Sequence, residues 1–178
     1  MRADHKGYSL IEIIIVIALI GILSGITVIS INTLTSGNLK SAATKINTTL
    51  ESVRTQDMSY TKKPSLYFYQ DSDGKYRMFV SNDTSVSLTS QQAKDAASFG
   101  NLTITLTFKD STGAEQEISN LKGRLYQVNF NSNSGALKET TLSTGNGYLT
   151  NIKIQKGTSG LEKNISIVPS TGKHSVAD

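Results

Sequence analysis

Between Glu12 and Lys40 the chain carries no charged side chain, and residues 13–23 are apolar without interruption. Ser24, Gly25, Thr27 and Ser30 dilute the run but let it continue to Ile31. A helix rises ~1.5 Å per residue, so residues 8–31 would extend about 36 Å, enough to cross a hydrocarbon core of roughly 30 Å. The segment is therefore expected to be a helix that can lie in a membrane. Glu12 stands at its front edge, where a bare carboxylate at hydrocarbon depth is costly. Such a group either retreats to the headgroups or meets a partner of opposite sign, and the second reading is favoured.

Ahead of the run, Arg2 and Lys6 outnumber Asp4. By the positive-inside bias this end stays cytoplasmic and the remainder is exported. An ordinary secretory signal peptide fits poorly: the apolar stretch exceeds the usual span of roughly 7–15 residues, and no small-x-small cleavage site follows it. A plain membrane anchor has the right hydropathy. It leaves unexplained the glycine at position 7 and the glutamate five residues later.

The segment Lys6-Gly7-Tyr8-Ser9-Leu10-Ile11-Glu12-Ile13, running on through Ile20-Gly21-Ile22-Leu23, resembles the processing site of type IV prepilins and type II secretion pseudopilins. The resemblance implies cleavage between Gly7 and Tyr8 by a prepilin peptidase and methylation of the new Tyr8 amine. Residues 1–7 would be a leader, residues 8–35 a transmembrane and assembly helix, and residues 36–178 the exported domain. It also implies residence in the cytoplasmic membrane, amino terminus inside, and later incorporation among other pilin or pseudopilin subunits in an extracellular or periplasmic filament. Two departures stand out: Tyr8 replaces the commoner phenylalanine, and Ile29 stands where many major pilins have proline. The second favours a minor subunit.

A methylated Tyr8 amine is cationic and Glu12 anionic, on a helix that otherwise offers hydrocarbon. If helices pack side by side, Glu12 of one subunit neutralises the amine of a neighbour and sets their axial offset, serving register more than stability. Within one subunit the amine sits at the positive end of the helix dipole and gains little. Gly21 and Gly25 form a G-x-x-x-G pattern, read either as a close helix contact or as local flexibility, since interior glycine weakens a helix by about 1 kcal/mol.

About 140 residues follow Gly37, the size of one domain with its own core. Ser36-Gly37-Asn38 either caps a new helix or bends a continuous one. Leu39, Ala42, Ala43, Ile46, Leu50, Val53 and Tyr60 then recur with helical spacing, with Lys40, Lys45, Glu51 and Gln56 on other faces. Beyond Pro64 the texture changes to short β-branched or alternating runs, predicting strands at 65–70, 75–81, 102–109, 116–119, 123–130, 147–155 and 165–168. Residues 71–74 (D-S-D-G) and 110–113 (D-S-T-G) are predicted hairpin turns, and residues 89–98 a brief helix. The long helix, the strand pair after it and the final I-S-I-V-P-S-T-G segment at 165–172 resemble the H-type minor pseudopilins and FimT-like minor pilins. That implies an α+β, pilin-like fold: a long amino-terminal helix packed on antiparallel sheet, in one layer or two.

Charged residues make up 18% of the chain and there is no cysteine. The C-terminal region that many pilins close with a disulfide must here be held by packing. Catalysis, a metal site and a cofactor are not expected. Once the leader is removed His174 is the sole histidine, and it is read as part of a short tail. Residues 71–74 look like the start of a calcium loop, but the twelfth position would be Asn82 and the glycine is misplaced, so a plain turn is preferred. Lys153, Lys156, Lys163 and Lys173, with Lys62 and Lys63, are a candidate stripe for nucleic-acid phosphates, although no interleaved arginines and aromatics mark a strand-binding groove. The resulting expectation is a minor structural subunit of a pilus or secretion pseudopilus. The alternative is a pilus-tip module that captures DNA or a surface ligand.

Overall fold

The computed structural model describes residues 10–59, 63–83, 86–89, 93, 95–143, 145–157 and 160–177, with the side chains of 21–36 outside that description. The chain divides into two compact units, Met1–Gly37 and Asn38–Asp178. Helix α1 runs Leu10–Ser59 and passes through 36–38 without a break. Of the two readings of Ser36-Gly37-Asn38, the cap of a new helix is not realised, and the helix is continuous there. Among the described residues no helix is long and apolar enough to cross a membrane. Of the expected span, residues 8–35, positions 8 and 9 and the side chains of 21–35 lie outside the description.

In the larger unit the helix presents the stripe that its sequence period predicts. Leu39, Ala43, Ile46, Leu50 and Val53 are buried, whereas Lys40, Lys45 and Glu51 are exposed. Tyr60, the last member of the predicted stripe, lies outside the described residues. Among the described residues ten strands follow: β1 (Ser65–Gln70), β2 (Tyr76–Ser81), β3 (Ala97–Ser98), β4 (Thr103–Lys109), β5 (Glu115–Ile118), β6 (Tyr126–Val128), β7 (Thr140–Thr141), β8 (Asn146–Gln155), β9 (Glu162–Val168) and β10 (Lys173–Ala177). They form two antiparallel sheets, one ordered β3-β2-β1-β6, the other β10-β9-β8-β4-β5 with β7 also paired to β8. The architecture is α+β and pilin-like. One core unites the helix with Leu66, Phe68 and Val128 of the first sheet and Ile104, Leu106, Ile152 and Ile165 of the second. Burying each such side chain contributes about 1.5–3 kcal/mol.

Strand β1 is buried at five successive positions, which alternation alone does not produce, because its sheet is covered on both faces. Leu66 and Phe68 enter the main core, while Tyr67, Tyr69, Phe79, Ala93 and Ala96 make a second, smaller one. Tyr67 and Phe79 are register partners and stack at 5.1 Å between ring centroids. The Tyr69 hydroxyl donates to the Ala93 carbonyl.

Both predicted turns are present. In the first, the Gly74 amide donates to the Asp71 carbonyl at 3.1 Å and Gly74 takes φ 78°, a left-handed backbone that glycine adopts without strain. Strand β8 carries a bulge: Thr107 faces Asn151 but Phe108 faces Leu149. The extra residue, Thr150, lets Leu149 and Ile152, three apart, both reach the core.

Several predicted boundaries change. Residues 89–98 are not helical throughout, since Ala97–Ser98 pairs with Met78 and Arg77 at the edge of the first sheet. The strand predicted at 123–130 shrinks to Tyr126–Val128 because Gly123 turns left-handed and the Phe130 amide is drawn to Asp57 rather than to a strand. The final strand β10 replaces the expected tail, its Val176 opposite Ile165 and its His174 opposite Ile167.

Candidate processing and assembly site

Helix α1 begins at Leu10, so Glu12 lies in its first turn, where a carboxylate is favoured by roughly 0.3–1 kcal/mol from the helix dipole. Glu12 is exposed. Around it, Leu10, Ile11, Ile13, Ile14, Ile15, Val16 and Ile17 are all at least 47% exposed. Residues 13–17 advance by about 100° each and so circle the whole helix. The apolar surface is therefore not a stripe seeking one sheet but a sleeve. Covering half of a large aliphatic side chain stabilises by about 1 kcal/mol, so enclosing this sleeve is worth several times what any ordinary surface ion pair supplies. Within that sleeve Glu12 is the one charge among the described residues, and a carboxylate enclosed among apolar helices is costly unless an opposite charge accompanies it.

Gly7 and Tyr8, the expected cleavage and methylation positions, lie outside the described residues. Gly21 and Gly25 are within α1, and no side-chain surroundings are described for that stretch.

The four candidate phosphate-binding lysines are not brought together. Lys153 and Lys173 face the outer side of the second sheet, opposite Asn164 and Val168 respectively. Lys163 is opposite the buried Ile154 and so projects to the other face. Lys156 lies beyond the end of β8, beside the start of the larger unit's helical segment. A one-residue step along a strand reverses the face, and the sequence spacing did not reveal how the strands align.

The aspartate turn at 71–74 is built as a turn. Asp71 accepts the Lys75 amide on Oδ1 at 2.9 Å and Arg77 Nε on Oδ2 at 2.6 Å. Burial works to raise its pKa, but the Arg77 contact and the backbone donors outweigh it and leave the carboxyl below its usual range. Asp110 does the same in the second hairpin, its Oδ1 accepting the Thr112 and Ala114 amides at 2.8 and 2.9 Å.

Two polar residues of the core were not anticipated. Asp57 is 1% exposed, its Oδ2 accepting the Phe130 amide at 3.0 Å while Oδ1 has no hydrogen-bond partner among the described residues. Burial pushes its pKa up, against the Phe130 hydrogen bond and the more distant Lys138 and Lys63. A signal was available: Asp57 falls four residues after Val53, on the apolar stripe itself. His174, expected on a tail, has a 2% exposed side chain. Its Nδ1 lies 3.0 Å from the Gly172 carbonyl and its Nε2 3.1 Å from the Asn47 carbonyl of the helix, with Glu51 3.6 Å away. Together with the Leu137 amide donating to the Pro169 carbonyl at 2.8 Å, this ties down the C-terminal hairpin without a disulfide.

Residues 2–28 match the family model of the prokaryotic N-terminal methylation motif. The amino terminus thus carries the signature of the type IV pilin and pseudopilin family, over the same stretch that holds Gly7, Tyr8, Glu12, Gly21 and Gly25. Comparison with curated proteins and with solved structures found no match.

Proposed function

We propose that this chain, which bears the prepilin-type methylation motif at residues 2–28, is a minor structural subunit of a type IV pilus or of a type II secretion-like pseudopilus. Prepilin peptidase cuts between Gly7 and Tyr8 and methylates Tyr8. The protein then waits in the cytoplasmic membrane as a single-pass protein, amino terminus inside and residues 36–178 exported. Assembly extracts the helix into a bundle of neighbouring subunits, where Glu12 meets the Tyr8 amine of another copy or of a related subunit, and Gly21 and Gly25 permit close helix approach.

The observation that carries this reading is the sleeve: an apolar helix exposed on every side from Leu10 to Ile20, with Glu12 set into its first turn. A bilayer covers such a surface and leaves Glu12 at the headgroups, whereas a bundle of like helices covers it and brings the amine of a neighbour to the carboxylate. Ile29 in place of proline supports the minor role.

Intact mass of the protein recovered from membranes of a peptidase-containing host tests the proposal. Loss of residues 1–7 together with one added methyl group is expected. A polypeptide that still begins at Met1 overturns it.

A further inference from the structure

The sheet ordered β10-β9-β8-β4-β5 ends in two open edges: among the described residues no strand pairs with the outer side of β5 or of β10. Four antiparallel steps separate these edges, so β5 and β10 run in the same direction. Neither E-Q-E-I nor K-H-S-V-A holds a proline, and neither pairing carries a bulge. Of the devices that blunt a sheet edge, only shortness and charge are present.

The charges are of opposite sign. Glu115 and Glu117 are exposed on β5, and Lys173 is exposed on β10. All three lie on the outer face of the sheet. Glu115 and Glu117 are opposite Lys109 and Thr107, which alternate with the buried Leu106 and Phe108. Lys173 and Ser175 alternate with His174 and Val176, which are opposite the buried Ile167 and Ile165. Glu115 also stands 3.9 Å from Lys109, a solvent-exposed contact of little worth.

The backbone of both edges is poised in the same sense. The Asp110 amide donates to the Ala114 carbonyl across the β4–β5 turn. Bonding alternates along an antiparallel ladder, so Glu115 and Glu117 turn their N–H and C=O away from β4. The Val168 carbonyl accepts the Thr171 and Gly172 amides and therefore points toward β10. By the same alternation His174 and Val176, opposite Ile167 and Ile165, turn theirs away from β9.

We infer that β5 of one copy pairs in parallel with β10 of a second copy, Glu115 beside Lys173, Gln116 beside His174, Glu117 beside Ser175 and Ile118 beside Val176. The slanted bonds of a parallel ladder then run from Glu117 to His174 and Val176, the residues whose groups face outward. On one face the register sets a carboxylate beside an ammonium; on the other it covers Val176, 40% exposed, with the half-buried Ile118. Like edges match poorly, since two β5 strands oppose glutamates. A β5–β10 contact is heterologous, so it joins copies head to tail and keeps them all pointing the same way. Its use in building a filament rests on the function proposed above; the edge contact itself does not.

The chain has no cysteine, so introduced thiols report the contact. Neighbouring strands lie about 4.8 Å apart, within the Cα separation that a disulfide spans. Full-length Glu117→Cys and Ser175→Cys chains are mixed in mild detergent, oxidised with copper phenanthroline and resolved by intact mass. The mixed disulfide is expected to form at least about fivefold faster than either homodisulfide or than a pair of Asn133→Cys chains, which carry the thiol on an exposed turn away from both edges. Lys173→Glu in the Ser175→Cys chain should slow it about threefold, and Glu115→Lys in the Glu117→Cys chain should restore the rate. A mixed disulfide no faster than the Asn133→Cys pair overturns the contact. Predominance of either homodisulfide overturns it in favour of a closed dimer of like edges, and a rate indifferent to both charge changes overturns the register. If the mixed disulfide forms as expected while the protein from membranes still begins at Met1, the filament reading fails and the edge pairing stands.

Discussion

His174 of the last strand places its Nε2 3.1 Å from the backbone carbonyl of Asn47 in the helix, a contact spanning 127 residues of sequence. The side chain is almost fully enclosed, and its other nitrogen lies against Gly172. This contact is one of the ties that hold the closing hairpin to the helix in a chain without cysteine.

Replacing His174 by Ala should cost about 1–3 kcal/mol, from lost hydrogen bonds and an unfilled space. Urea unfolding measures the loss, and hydrogen exchange should show it concentrated in residues 164–177. A variant as stable as the parent would show the contact to be incidental.

Asp57 gives a pH dependence of definite sign. Its folded pKa is raised by burial above the ordinary 3.8, so its contribution to stability is fully present below that value and is lost as pH rises through the folded pKa. Asp57→Asn does not titrate. The stability of the parent relative to this variant should therefore increase as pH is lowered from about 7 to about 4. Denaturant midpoints for both proteins across that range test it, and a constant difference would contradict the assignment.

Gly172 and Gly37 should respond oppositely to alanine. At Gly172, with φ 65°, a Cβ would strike the Gly135 carbonyl and lie 3.0 Å from the Phe130 ring, so Gly172→Ala should lose roughly 2–4 kcal/mol. At Gly37, in mid-helix, a Cβ meets nothing within 4 Å, and Gly37→Ala should gain about 0.5–1 kcal/mol. Thermal unfolding of the two variants decides both.

Glu12→Ala removes the one charge of the described sleeve. It is expected to be cleaved and methylated normally, yet to be excluded from filaments or pseudopili. Immunoblots of sheared filaments against the membrane fraction would show this, and parental levels of incorporation would rule out the intermolecular pair.

Much of the helix was legible because its signals are local. The stripe from Leu39 to Val53 has helical spacing, and every one of those positions is buried. The two aspartate turns were readable for the same reason, since a side chain that caps its own backbone needs only four or five residues to do so. Strands β1, β2, β4 and β8 lie within a residue of their predicted bounds. Strand β10 was missed because K-H-S-V-A carries one apolar branched residue, and its pairing with β9 is what holds it. Asp57 was overlooked because its polarity masked a position that the helix period assigns to the core.

By itself the sequence determined the apolar helix from Leu10, the place of Glu12 at its start, the stripe that follows and the turns, all of which depend on residues near one another in the chain. Only the tertiary structure decided which lysines share a surface, how a second core forms among Tyr67, Phe79, Ala93 and Ala96, and how Asn38, Ser98 and Lys156 come to line one recess. Those outcomes depend on strand register, and register is set by pairing between distant segments, where a shift of one residue turns every side chain to the opposite face.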